Sequence, residues 1–239
     1  MRFLLPTLLL ACANPTAATT ESHEAQARSR FTRGMEALQE GRVDVARRAF
    51  AKAAELAPEW GLAYLEWGLI EKSIDPHTAV ARDCLEKAAK LSPDNARARY
   101  QLGLLYQQLA RHNDAINELT AALALRPQML DAQFRLATAH QDAGHLEAAI
   151  EGFREVLGDQ RHHSGALAAL AALFEKSGDL SEAERALVAL AQKQPHLAYN
   201  HYRLAQFYER VGETKKARRA YSRANSLDPR PQRRMRELR

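Results

Sequence analysis

Cysteine is nearly absent: Cys12 and Cys84 are the two in 239 residues. They cannot build a disulfide framework or a paired-cysteine metal motif. Cys84 lies in the helical run "ARDCLEKAAKL" and reads as a small buried hydrophobe. Glycine (11) and proline (9) are also sparse, which excludes collagen-like and low-complexity organisation. No apolar run reaches the ~20 residues needed to span a bilayer. Gly-rich phosphate loops and His-Glu-x-x-His are missing too. The chain therefore reads as non-enzymatic, with no cofactor and no metal.

Charge is unevenly placed. Of the formal net charge of +5, the last ten residues, "RPQRRMRELR", supply five Arg against one Glu, and Arg2 supplies one more. The body between them is close to neutral. It lacks the basic stripe that a phosphate backbone requires, so no nucleic-acid partner is expected and the tail reads as a solvated end.

Residues 1–13 have the form of a short export signal: Arg2, the apolar run Phe3 to Leu10 broken by Pro6, then "LLLACANP". Two cuts are available there. Leu9-Leu10-Ala11-Cys12 suits a lipoprotein peptidase, which leaves a lipidated Cys12. Ala11-Cys12-Ala13 suits an ordinary signal peptidase, which releases a soluble chain from Asn14. The short apolar run and Leu9 three residues before Cys12 favour lipidation. Ala13, where inner-membrane retention uses Asp, points to a periplasm-facing outer-membrane lipoprotein. The alternative is a soluble periplasmic protein. Residues 14–26, rich in Ala, Thr and Glu, read as a spacer, or as a segment that folds back over the array that follows.

From Ala27 the sequence aligns with itself in rows of 34, beginning at Ala27, Gly61, Ala96, Leu130, Ser164 and Ala198, with one extra residue in the turn "SIDPHT". The rows cover 27–60, 61–95, 96–129, 130–163, 164–197 and 198–231, and a basic cap or tail follows at 232–239. The eighth column holds Gly34, Gly68, Gly103, Ala137, Ala171 and Ala205. The twentieth is Ala46, Ala81, Ala115, Ala149, Ala183 and Ala217. Four residues on come Phe50, Leu85, Leu119, Phe153, Leu187 and Tyr221. Ala53, Ala88, Ala122, Val156, Leu190 and Ala224 follow three later. Pro58, Pro93, Pro127, Pro195 and Pro229 close five rows, and Arg161 breaks that column.

Three- and four-residue spacing places one apolar stripe on each of two helices per row. Small residues in the eighth and twentieth columns let two helix backbones approach closely. Gly41, Gly144, Gly178 and Gly212 fall between the helices, where a turn needs positive φ. The closing Pro stops the second helix. Arg30 and Arg33 replace helix-core residues in the first row, consistent with an end whose outer face meets water.

This pattern resembles the tetratricopeptide repeat family over Ala27 to Pro231. The resemblance implies an all-α fold, a right-handed α-solenoid of six helix pairs in a single array. It also implies a concave groove lined from repeat positions 2, 5, 9, 12 and 13 of the first helices. In rows one to three these include Phe31, Met35, Leu38, Leu62, Leu65, Leu69, Tyr100 and Leu104. Later rows add Phe134, Tyr199 and Tyr202 among mostly polar residues. An exposed apolar groove is the mark of a partner site; the competing reading is that Phe31, Met35 and Leu65 simply pack against neighbouring helices. The family's carboxylate clamp uses Lys and Asn at positions 5 and 9, and here Phe31, Met35, Leu65 and Leu69 stand instead. His162 and His196 lie one repeat apart without a carboxylate or cysteine at ligand spacing, so they read as water-facing loop residues.

The expected function is a protein-binding scaffold. An export signal followed by six repeats is similar in layout to the outer-membrane lipoproteins that pilot a type IV pilus secretin. The expected partners are an envelope client such as a secretin subunit, and the membrane through a lipid anchor. The alternative is a soluble adaptor for cell-wall enzymes or another envelope machine.

Overall fold

The computed structural model describes residues 15–159 and 163–228. Cys12, His162, Arg161 and the segment 229–239 lie outside them. Among the described residues there are twelve α-helices and no strand: α1 (Pro15–Gln39), α2 (Val43–Leu56), α3 (Gly61–Ile74), α4 (Ala79–Leu91), α5 (Ala96–Gln108), α6 (His112–Leu125), α7 (Leu130–Asp142), α8 (Leu146–Asp159), α9 (Ser164–Ser177), α10 (Leu180–Lys193), α11 (Ala198–Arg210) and α12 (Thr214–Leu227). The fold is an all-α repeat. Odd-numbered helices from α3 onward start at Gly61, Ala96, Leu130, Ser164 and Ala198, the first residues of rows two to six.

The repeating columns are the core. Phe50, Leu85, Leu119, Phe153 and Leu187 are fully buried, as are Ala46, Ala81, Ala115, Ala149 and Ala183 one turn before them. Close approach is real at the eighth column: a Cβ on Gly34 would sit 2.7 Å from the Phe50 ring, and one on Gly68 2.9 Å from Leu85. Row four reverses the arrangement. Ala137 occupies the eighth column, and the residue without a Cβ is instead Gly152 on α8, where an added Cβ would sit 2.9 Å from the Ala137 methyl. Local chemistry starts several helices. Asn95 accepts from the N–H groups of Arg97 and Ala98, Thr78 from Ala81, and Asp179 from Glu182.

Residues 15–26, expected as a spacer or a fold-back segment, form the N-terminal half of α1, a helix of 25 residues. Pro15 suits a first helical position, because its missing N–H has no intrahelical partner there, and the Ala, Glu and Gln that follow are helix formers. Glu24 and Arg28 pair one turn apart at 3.6 Å. A helix running on from row one does not fold back over it.

The chain divides into two units. One unit ends at Ala110 and the other begins at Arg111, so row three is divided between them. In the first unit α1 packs on α2, α3 on α4, and α2 and α4 on the helices that follow them. In the second, α7–α8, α9–α10 and α11–α12 form the pairs, and a continuous cluster around Phe153, Leu170, Phe174, Leu187 and Phe207 joins the last three rows.

Candidate functional site

The apolar candidates of rows one to three all lie in the first unit. Phe31 is half-buried, its ring 5.1 Å from Phe50 and 4.8 Å from Trp60. With Leu38 and Trp67 it flanks a small core of Ala37, Ala46, Phe50 and Ile70. Met35, between Phe31 and Leu38 on α1, is 38% exposed. Leu62 and Leu69 on α3 and Tyr100 and Leu104 on α5 are half-buried, and α3 and α5 touch each other. Leu65 does not belong with them. It is fully buried, because its position on α3 faces the helices packed on both sides, so it is a core residue and leaves the candidate surface.

Polar links tie the edge of this surface together. Lys72 on α3 donates to Gln101 on α5 at 2.6 Å, and Trp67 donates its indole N–H to Glu71 at 2.9 Å. Arg97 binds the carboxylate of Glu66, a buried charge, at 2.5 Å. The Lys72–Gln101 and Arg97–Glu66 contacts link α3 to α5, and the three together leave an apolar surface with a polar border, the usual layout of a protein interface. Beside it, the N-terminal extension of α1 (His23, Glu24, Arg28) and the turn Leu56 to Trp60 enclose a half-open cleft of about 620 Å³. Trp60 joins the two features, since it lines the cleft and packs at a tilt against Phe31. On the outer side of row one, Arg30 and Arg33 are exposed and share a shallow depression with Arg48 and Lys52.

The candidates of the second unit are less available as a surface. Phe134 is half-buried between Phe153 (5.5 Å) and His163 (4.6 Å). Tyr202 packs edge-on against Tyr221 at 5.6 Å. Tyr199 alone of the three is freely presented, at 66% exposure. Around them Glu175 gathers both Arg203 and Arg210. The junction of the last two rows is closed by Tyr208, which donates to Glu184 at 2.9 Å, and by Lys216, which binds the same carboxylate at 2.9 Å. The bond from Lys216, then that from Tyr208, holds Glu184 below its ordinary carboxylate value. Burial, reinforced by Glu184, pushes the Tyr208 phenol up to about 12. This is a latch between rows.

Histidines fall into separate roles. His163 caps α9 by accepting the Ala166 N–H at its Nδ1, 3.1 Å away, and His196 is exposed in the turn before α11. A pair that the sequence reading passed over is His140 and His145, whose Nδ1 atoms lie 3.4 Å apart. The turn explains them. Gly144 is left-handed and the His145 N–H bonds the His140 carbonyl at 2.9 Å, a helix-end motif that brings these two side chains together. The signal available in sequence was two histidines spanning a glycine turn. Among the described residues no group of three or more His, Cys, Asp or Glu is placed to hold a metal ion. Cys84 is buried, and burial, with Glu71 and Asp83 adding to it, raises its thiol to about 12. Such a thiol is not a nucleophile.

Sequence models of the tetratricopeptide repeat match residues 27–59, 77–128, 111–174 and 198–231. The chain belongs to the tetratricopeptide repeat family. Tetratricopeptide arrays are binding scaffolds, and the apolar surface with its polar border fits that role. Three solved tetratricopeptide proteins share the fold. PilW, a type IV pilus biogenesis factor, superposes with a TM-score of 0.66 at 18% identity over 91% of this chain and 96% of its own. PilF of Pseudomonas aeruginosa gives 0.65 at 19%, over 87% and 94%. YrrB, described as having an unusual peptide-binding site, gives 0.63 at 21%, over 77% and 94%. At these identities the likeness is one of fold. No curated protein matches the chain by sequence.

Proposed function

We propose that this tetratricopeptide protein is an envelope assembly scaffold, held at the outer membrane by a lipid on Cys12, that binds an apolar segment of a client through its first unit. The observation that carries the reading is the set Met35, Leu62, Leu69, Tyr100 and Leu104, exposed or half-buried on α1, α3 and α5 and bordered by the Lys72–Gln101 and Arg97–Glu66 links. A type IV pilus secretin subunit is the proposed client. It is supported by the layout of export signal and repeats and by the fold shared with PilW and PilF. Among the described residues no helix is long and apolar enough to cross a membrane, so the anchor in this reading is the lipid.

The test is capture from crosslinked envelopes with wild-type protein and a Leu69→Ala/Tyr100→Ala variant, read by mass spectrometry. The reading expects a secretin that is lost in the variant at unchanged helicity. A capture set indifferent to the double change places the binding surface elsewhere. Cell-wall enzymes or motility proteins lost in the variant keep the surface and replace the client. Fractionation of Cys12→Ser tests the anchor separately: the protein should move from membrane to soluble fraction, and unchanged partitioning sinks lipidation.

A further inference from the structure

Residues 214–239 hold ten Lys and Arg against two Asp and Glu, while the remaining 213 residues hold 24 against 27. The near-neutral body of the sequence reading is thus an acidic majority followed by a strongly basic end, and the basic end begins inside the fold. α12 (TKKARRAYSRANSL) contains five cations and no carboxylate. At 100° per residue Lys215, Arg218, Arg219 and Arg223 project from one side, together with Ser222 and Ser226. All six are exposed. The opposite side, Ala217, Ala220 and Ala224, is buried against α11. Lys216, at the edge of the stripe, is spent on Glu184 and lies over the Tyr208 ring at 5.1 Å. Among the described residues Lys215, Arg218, Arg219 and Arg223 form no ion pair. The acidic groups nearest in chain are Glu213 before the helix and Asp228 after it; Glu209 on α11 is engaged by the Tyr221 hydroxyl at 2.6 Å.

We propose that the exposed face of α12 docks electrostatically on anionic phospholipid headgroups. Four unpaired cations along about 12 Å of helix form a charged row without a cleft. Such a row recognises charge density, and a fluid anionic surface supplies it. Its apolar side is already covered, so the helix lies at headgroup level and does not insert. A nucleic-acid strand is the less suitable occupant. The one aromatic of α12, Tyr221, is packed on Tyr202 and bonded to Glu209, and leaves no ring on the cationic side for a base to stack on. The five Arg of residues 230–239 extend the same charge in sequence. The inference does not depend on lipidation of Cys12.

The experiment uses the full chain as Cys12→Ser, unacylated, sedimented with phosphatidylcholine vesicles containing or lacking phosphatidylglycerol. Binding is expected only with phosphatidylglycerol and is expected to be lost as salt rises. Lys215→Gln/Arg218→Gln/Arg219→Gln/Arg223→Gln, checked for unchanged helicity and melting, should weaken partitioning at least about 100-fold. A single Arg219→Gln, which cannot threaten the fold, should give a smaller loss in the same direction. Equal binding to both vesicle types would assign the interaction to the apolar N-terminus and overturn the proposal. Binding that survives the quadruple change would assign it to residues 229–239, with the same consequence. Duplex DNA displacing the protein from phosphatidylglycerol vesicles would replace the lipid surface with nucleic acid.

Discussion

Arg97, near the start of α5, donates from two guanidinium nitrogens to the carboxylate of Glu66 on α3, at 2.5 and 3.4 Å. Glu66 is buried, whereas the Arg97 side chain stands half in water. The pair bridges residues 31 positions apart, joining two rows beside the candidate binding surface.

Removing the guanidinium strands a buried charge. Arg97→Ala should cost about 1–2 kcal/mol, discounted because one partner is solvated. Glu66→Gln, which leaves no buried charge, should cost less. Urea denaturation of both variants checks the order; a larger loss for Glu66→Gln would show that the carboxylate is not the group at risk.

Gly34→Ala places a methyl 2.7 Å from the Phe50 ring, itself fully buried. Overpacking of that kind costs about 1–3 kcal/mol, against a helix-propensity gain of about 1 kcal/mol. Net destabilisation is expected. Gly158 near the end of α8 has nothing within 4 Å of its would-be Cβ, so Gly158→Ala should be neutral or stabilising. A lowered melting temperature for Gly34→Ala, with none for Gly158→Ala, is the outcome that supports close packing at the eighth column.

Ala110 holds φ +55° at the turn position where Gly41, Gly144 and Gly212 hold +72°, +82° and +80°. A Cβ in the left-handed region is unfavourable by roughly 1–2 kcal/mol. Ala110→Gly should therefore stabilise the protein by about 0.5–1 kcal/mol, after the entropy that glycine loses on folding is subtracted. An unchanged or lower denaturation midpoint would contradict it.

Burial, and after it the charge of His145, holds His140 below its ordinary imidazole value. Unfolding restores that value, about 6.5, so the unfolded chain takes up its proton first as pH falls. The contribution to stability is complete above about 6.5 and is eroded as pH drops below it, down to the depressed folded value. Compared between about pH 7 and pH 5, wild type should lose more melting temperature than His140→Gln. Parallel curves would mean that His140 titrates alike in both states.

The repeat, its register and most of its core were readable along the chain. Phe50, Leu85, Leu119, Phe153 and Leu187 stand in one column and are all fully buried. Each helix buries its stripe mainly against its neighbours in chain order, so a local period contains the information. The positive φ of Gly41, Gly144, Gly178 and Gly212 was readable for the same reason: the turn that needs it is a few residues long.

What the period could not convey is which remaining side chains a neighbouring row covers. Leu65 and Leu69 share a helix face in sequence, yet one is fully buried and the other half-exposed. The helical continuation of α1 through residues 15–26 depends on a segment outside the repeat, where no column guides the reading. The Arg97–Glu66 and Lys72–Gln101 links, the Tyr208–Glu184–Lys216 latch and the His140–His145 pair arise where turns and successive rows bring side chains together. The one-sided charge of α12 becomes a surface only once α11 covers its alanines. Periodicity specifies which face of a helix must leave water. The packing of rows some thirty residues apart settles which of the other faces stay in it, because that depends on side chains that no single row contains.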